Sequence, residues 1–518
     1  MGTRTWNKER AAKRIDEKIA ALPLRDIEIK DYVRETELSN IPNNIAYRLD
    51  GVHLYADILN VGDMLRVTDV EGETCHRRTL RFLNLHYRAV HRILNRVEAI
   101  KVDFHNQRLH TVVAKPYDSE TNRVHGAVAI AQLIIDVLAQ TGEDADHPSA
   151  KVRVGIDTGK ALAVNNGRRG HREPLFLGDP ANHAAKRAGG GTATGIYLTN
   201  RARKAIGLKA VDSEDAVELT QQEIAVSKGK ARLEVTAEQI VKEWQQDLKD
   251  NPIGLFKFSG HTPPFRDLDF DTLSVGNSRR QDASSVYADI DGFTAFVTRN
   301  ITTDDNAKHV IRTLQVLRSE LDAVLQEDFA GCKVRFIGDC VHGLSAEGTA
   351  QTTDSEQTVS VMSLCAAGMR SSSDLALSKL KANGTDVAGL GLSIGFEYGP
   401  MTATRLGVKG DLIRCSTSRG VLAAEREQQR CSGSETAIGP AAYAAGSEAI
   451  RTVFGKSRKR SQLDYPTLVD ELASKNDKTA RAIKAEQAAS LLKPATAAAG
   501  SFTFPDRKTA PSKPAGFA

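Results

Sequence analysis

The sequence predicts an α+β protein made of two diverged copies of one layered domain. Three observations carry this: a motif that returns at a fixed offset, strand patterns alternating with long helical patterns in each copy, and a globular composition. Tyr55-Ala56-Asp57-Ile58 returns as Tyr287-Ala288-Asp289-Ile290, 232 positions on (57 to 289). Val102-Asp103-Phe104 returns as Val334-Arg335-Phe336 at the same offset, and so does His110 as His342. Later, Gly155 to Gly159 matches Gly395 to Gly399 at an offset of 240. One insertion of about eight residues in a surface loop of the second copy reconciles the two offsets.

Each copy reads in the same order. A strand (52–58; 286–290) leads to a long helix, a hairpin-like strand pair, a second long helix, then a strand (152–156; 392–396) with a Gly turn. The expected divisions are a basic segment 1–44, a first domain 45–241, a linker 242–281, a second domain 282–455 and a mobile tail 456–518. Pro252, Pro263 and Pro264 suggest the linker, and the Ala/Lys-rich end suggests the tail.

Composition narrows the function. The 518 residues are 41% hydrophobic and 26% charged, which fits a globular chain of two domains. A net charge of +5 is too mild over this length to point to nucleic acid. The most apolar window, Ala127 to Leu138, is interrupted by Gln132 and Asp136, so a membrane span is not expected. The first 30 residues are charged throughout and read as no signal peptide. Six scattered cysteines without CxxC pairing suggest a reducing, cytoplasmic setting.

The second copy carries the chemistry of cations. Asp289-Ile290-Asp291-Gly292-Phe293-Thr294 ends a strand and enters a helix, so its carboxylates suit a divalent metal and the following N–H groups suit phosphate oxygens. Ile337-Gly338-Asp339 places another carboxylate at a tight turn between strands. Aspartates on neighbouring strand ends can hold two metals a few ångströms apart.

These two motifs, with Gly178-Asp179-Pro180-Ala181-Asn182-His183-Ala184-Ala185-Lys186-Arg187 in the first copy, resemble class III nucleotide cyclase homology domains. The resemblance covers most of residues 45–235 and 280–450. It implies two ferredoxin-like, palm-type domains that form a pseudo-twofold dimer within one chain. It implies Asp289, the carbonyl of Ile290 and Asp339 as ligands of two Mg²⁺ or Mn²⁺ ions, with Asp291 just behind them. Gly292, Phe293 and Thr294 would bind substrate. Asn182 would orient the ribose, and a cation four positions on would meet the charge at phosphorus. Spacing of four puts both on one helix face. That position is Lys186, with Arg187 beside it, and the family's usual arginine leaves the choice open. The family has a triphosphate-binding lysine in a stretch similar to Val226 to Lys230, which implies Lys230 as a substrate ligand; the plainer reading of Lys228 and Lys230 is a solvated hairpin.

The copies have complementary losses. Gln107 stands where the second copy has Asp339, and Asn60 replaces Gly292, so the first copy should bind no catalytic metal. Leu422 replaces Asn182 in the second copy, although Arg426 survives. One working site per chain is expected. For the base, the positions implied by the family are Asp103 and Leu175. Ionised Asp103 accepts but does not donate, which disfavours adenine and leaves guanine and pyrimidines open. The whole resembles the pyrimidine cyclases of Pycsar antiphage systems, which implies UTP as the substrate, then CTP, GTP or ATP. It also implies that a separate effector reads the cyclic nucleotide. Rival expectations are a diguanylate-cyclase-like enzyme and a non-catalytic nucleotide sensor.

Overall fold

In a computed structural model the chain is described over residues 4–34, 36–38, 40–166 and 174–491. Its first half runs α1 (Lys8–Ala21), β1 (Glu28–Asp31), β2 (Ile45–Ile58), α2 (Val61–Leu65), α3 (Glu73–Leu94), β3 (Ile100–His105), β4 (Arg108–Val113), α4 (Glu120–Leu138) and β5 (Val152–Asn165). It continues through β6 (Pro174–Leu177), α5 (Asp179–Gly189), β7 (Gly195–Leu198), α6 (Asn200–Ala205), α7 (Gln221–Ala231) and α8 (Ala237–Asp250). The second half begins with β8 (Phe258–Ser259), β9 (Ser278–Asp291), α9 (Phe293–Asn300), α10 (Asp304–Ala323), β10 (Cys332–Ile337), β11 (Cys340–Ser345) and α11 (Ser355–Ala382). It closes with β12 (Gly391–Val408), β13 (Asp411–Cys415), α12 (Arg419–Gln429), β14 (Glu435–Ile438), α13 (Pro440–Ala445), α14 (Glu448–Phe454), β15 (Lys459–Ser461), α15 (Tyr465–Ser474) and α16 (Lys478–Leu491).

The expected α+β class holds, with one mixed sheet in each half. The order β3-β4-β2-β5 in one sheet is repeated as β10-β11-β9-β12 in the other. The registers agree to the residue: Ala56 faces Leu109 as Ala288 faces Val341. The alternation of strand residues sorts the faces. Leu54, Ala56, Val154 and Ile156 share a core with α3 and α4. The opposite face carries Tyr55 and Gly155, and α5 lies so close there that a Cβ on Gly155 would sit 2.1 Å from the Ala184 carbonyl. Only glycine permits that approach.

Each half sends a hairpin arm onto the other. Leu162, Val164, Leu175 and Leu177 of β5–β6 bury against α9 and α10. Leu406, Ile413 and Cys415 of β12–β13 bury against α3. Polar contacts fix the edges: Arg318 donates to the Asn166 carbonyl at 2.8 Å, and the Gly407 N–H donates to Asn84 Oδ1 at 2.8 Å.

Three stretches differ from expectation. Residues 242–281 are no free linker. Trp244, Ile253 and Phe256 belong to the first-half core, and Phe265, Leu268, Phe270 and Leu273 fill a second-half core. Residues 456–491 are no mobile tail, because Leu468, Val469, Leu472, Ala480 and Ile483 are buried against α11 and its neighbours. The rest of that predicted tail, 492–518, lies outside the described residues. The N-terminal segment spends its basic residues on intramolecular pairs: Arg14 reaches Glu320 at 2.6 Å and Asp328 at 2.9 Å. Helix α1 thus belongs to the second half, while β1 pairs with β2 of the first. Among the described residues, no helix is long and apolar enough to cross a membrane.

Candidate active site

The two metal-site aspartates meet because of strand register. Val341 pairs with Ala288, so the Gly338–Asp339 turn between β10 and β11 falls beside the end of β9, where Asp289 stands. Gly338 takes φ 60°, a left-handed value that suits glycine in this tight turn. The main chain of Asp289 is tethered from the other side, where Ser393 Oγ donates to its carbonyl at 3.4 Å and itself accepts from Gln428 at 2.8 Å.

Enclosure by protein raises the Asp289 carboxyl to about 6, and the nearby Asp291 charge adds to the rise. Asp339 is pushed well above the usual carboxylate range, first by burial and then by Asp289. Neither forms an ion pair among the described residues. Two crowded carboxylates, whose charge the nearby Arg318 guanidinium offsets only in part, fit divalent cations held through oxygen. Asp291 is more exposed and accepts the Gly433 N–H at 2.7 Å, which braces the turn before β14.

Beyond Asp291 the chain turns at Gly292 with φ 77°. A Cβ there would lie 2.1 Å from the Gly389 carbonyl, so this position admits only glycine. Helix α9 starts at once, with no side-chain cap, leaving its first N–H groups open. The Phe293 ring is buried among Leu175, Leu177 and Phe296, so only its main chain can meet a ligand.

The first half reaches this point through α5. Asn182 Nδ2 donates to Thr294 Oγ1 at 2.7 Å, so the Asn-Ala-Ala-Lys helix and the aspartate motif border one cleft. Lys186 follows one turn later, is exposed, and has no ion pair among the described residues. It borders a cavity of about 390 Å³ together with His183 and Arg201. Arg187 is engaged: it pairs with Glu214 at 3.0 Å and Asp215 at 3.2 Å. Its carbonyl also accepts from Arg153 at 2.8 Å. Arg187 lines the same cavity as Lys186 but is held there by two carboxylates, so Lys186 is the cation of the two without an ion pair among the described residues.

Lys230 is corrected. Its stretch is helix α7 rather than a hairpin, and Thr220 and Glu223 start it with a complete capping box. Helix α7 packs on α4, which covers the face of the first sheet opposite α5. The sheet therefore separates Lys230 from Asn182. The segment beside α5 is instead acidic, with Glu214 and Asp215 facing Arg187.

Asp103 lies between the halves. Its carboxylate accepts from Arg335 at 2.5 Å, and Arg335 also donates to the Phe104 carbonyl at 2.8 Å. The pair joins residues at matching positions of the two copies. Tyr55, which sequence reasoning did not single out as a site residue, is close to both Asp103 and Asp339 and stacks on His110 at 4.1 Å. Burial raises its phenol, so it is a neutral hydroxyl at the cleft. Its repetition as Tyr287 was the available signal. Leu175 is 9% exposed and packs against α9, and it offers no polar group.

The corresponding place in the first half is occupied by an ion pair. Arg108, next to Gln107, donates to Asp57 Oδ2 at 2.8 Å, with Glu425 of α12 also near its guanidinium. That guanidinium neutralises the carboxylate a metal would need.

Known proteins identify the family. Residues 275–456 match the family model described as the adenylate and guanylate cyclase catalytic domain. A uridylate cyclase of Pseudomonas aeruginosa is 56% identical over 93% of this chain and 94% of its own length. A uridylate cyclase of Rhizobium sp. is 37% identical over 81% of this chain and 83% of its own. A crystal structure described as a class III adenylyl cyclase-like ATP-binding protein from Pseudomonas aeruginosa superposes with a TM-score of 0.88 at 56% identity, covering 91% of this chain and 100% of that one. With relatives of this identity along most of its length, the chain belongs to the class III nucleotide cyclases and is a nucleotide cyclase, a phosphorus–oxygen lyase.

Proposed function

We propose that this enzyme converts UTP to 3′,5′-cyclic UMP and pyrophosphate at one site shared by its two halves, which act as a pseudo-twofold dimer. The observation that carries the reading is the Asn182–Thr294 hydrogen bond, because it joins the ribose-orienting helix of one half to the cation motif of the other. The choice of UTP is supported by the two uridylate cyclases it resembles.

Asp289, Asp339 and the carbonyl of Ile290 would hold two Mg²⁺ or Mn²⁺ ions. When bound, such ions acidify the ribose 3′-hydroxyl and neutralise the triphosphate and leaving pyrophosphate. The chain's own groups do the rest. The N–H groups that open α9, at Phe293 and Thr294, hold phosphate oxygens. Asn182 fixes the ribose so that the 3′-oxygen faces the α-phosphorus. Lys186 brings a positive charge to the transition state there, as a point charge rather than a fork. The uracil N3–H donates to Asp103, whose carboxylate is oriented by Arg335. No metal or nucleotide binds around Asp57. The product serves as a message for a separate effector, in line with the resemblance to antiphage pyrimidine cyclases. The six cysteines, all free thiols, support a cytoplasmic setting.

The test is a product assay with purified protein, Mn²⁺ and each of ATP, GTP, CTP and UTP. Cyclic UMP as the main product is expected. A different cyclic nucleotide would overturn the choice of base. Binding of ATP, the ligand named in the description of the superposed structure, without turnover of any nucleotide would overturn the enzyme reading.

A further inference from the structure

The hydrogen bond between Asn182 and Thr294 has a second meaning. We propose that Thr294 is a positioning residue: its hydroxyl oxygen fixes the side-chain amide of Asn182 so that Oδ1 is presented to the substrate ribose. This rests on the reading of Asn182 given above.

The geometry is built in layers. Thr294 sits in the first turn of α9, whose start is pinned by the Gly292–Gly389 approach and by the Asp291 bond to Gly433. The backbone leading into Asn182 is pinned to that same helix, since Leu175 and Leu177 of β6 bury against Phe293 and Phe296. Two rigid frames from opposite halves therefore bring Nδ2 and Oγ1 to 2.7 Å. An amide has two faces that differ only in donor and acceptor character. Once Nδ2 donates to Thr294, Oδ1 is left without a protein partner among the described residues, and it is the acceptor a ribose hydroxyl requires.

An independent observation comes from the internal repeat. Thr294 corresponds to Gly62, at the offset of 232, and Asn182 corresponds to Leu422, at the offset of 240. The half-site without catalytic carboxylates has thus lost both ends of the bond together. It is closed by other means: the Arg419 side chain donates to the carbonyls of Leu65 and Asp69, each at 2.9 Å, and its N–H donates to Glu71 at 2.7 Å. If the bond served only to hold the halves together, its loss as a pair on the side without chemistry would have no reason.

The experiment is a double-mutant cycle on the full chain, read as cyclic UMP formation with UTP and Mn²⁺, with kcat and KM separated. Thr294→Val keeps the side-chain shape and removes the oxygen. It is expected to lower kcat by about ten- to a hundredfold with KM changed by less than about threefold, as for a group whose work is done in the transition state. Thr294→Ser should recover most of that turnover, which excludes misfolding as the cause. In an Asn182→Ala background, Thr294→Val should cost little more. An equal loss in both backgrounds would overturn the proposal while leaving the role of Asn182 intact. So would full kcat in Thr294→Val, or a change confined to KM. If Asn182→Ala itself turns over normally, the underlying reading of the site fails instead.

Discussion

Replacing Asp289 by Asn should make the metal-free protein more stable while destroying its activity. The Asp289 carboxyl holds its proton up to about pH 6, against about 4 in an unfolded chain. A group that binds its proton more tightly in the folded state makes folding less favourable as pH climbs between those two values. Above about pH 6 the full penalty remains, and below about pH 4 it vanishes. Two pH decades correspond to at most about 3 kcal/mol. Asparagine carries no charge, so the variant escapes this cost at pH 8. For a unit of about 200 residues that is a rise in Tm of at most about 6–12 °C. The assay is thermal unfolding of wild type and D289N at pH 5 and pH 8, with and without Mn²⁺. Without metal, D289N should melt higher at pH 8, and the gap should shrink at pH 5. With Mn²⁺, wild type should gain and D289N should not, so their order reverses. Cyclic UMP formation by D289N should fall below detection. If D289N melts lower than wild type at pH 8 without metal, the carboxylate is a stabilising partner in the fold, and the reasoning about an uncompensated site is wrong.

Other outcomes follow from the same geometry. Asp57→Ala leaves Arg108 without its 2.8 Å partner and should cost about 3 kcal/mol of stability, seen in denaturant unfolding, while kcat per folded molecule stays within about twofold. Lys186→Ala should lower kcat about a hundredfold with no loss of Tm, because its side chain makes no ion pair among the described residues. Arg187→Ala should do the reverse, lowering Tm through the unpaired Glu214 and Asp215 while kcat is little changed. Lys230→Ala should leave kcat and KM for UTP within about twofold, since the first sheet stands between it and α5.

What the sequence revealed, and what it hid, has physical causes. Either motif alone reads equally well as an ordinary turn; the aspartate pair was legible because two motifs stand at the right separation and recur in a second copy. Asn182 and Lys186 were legible through the family resemblance, and their spacing of four, which shares one helix face, is consistent with it. The match at an offset of 232 exposed the repeated strand order before any coordinates. Lys230 was misplaced because its role was carried over from a short resembling stretch, which does not say where that stretch packs. The competing signal, Thr220 followed three residues later by Glu223, is a helix start and prevailed. The tail was misjudged on composition, although Leu468, Val469, Leu472, Ala480 and Ile483 already follow a helical period. Arg187 and Asp103 show the remaining limit. Their partners Asp215 and Arg335 lie 28 and 232 residues away in the chain, and no local pattern announces an ion pair closed by tertiary packing.

The asymmetry of the two halves also explains why a degenerate site can persist without weakening the fold. A twofold pair of cyclase sites needs carboxylates from one half and polar groups from the other, twice. Losing one ligand alone would leave Asp57 as an unpaired charge between β2 and β4, at a cost of several kcal/mol. Arg108 removes that cost by occupying the carboxylate with a permanent cation. Leu422 and Gly62 then remove the polar groups that would lack a substrate, and Arg419 closes the gap with main-chain acceptors. The intact site is left in the opposite condition, with two crowded carboxylates raised by burial and an exposed lysine one turn beyond the bridging asparagine. In the proposed reading, one side of the molecule is satisfied by its own residues, and the other becomes satisfied only when cations and a nucleotide arrive.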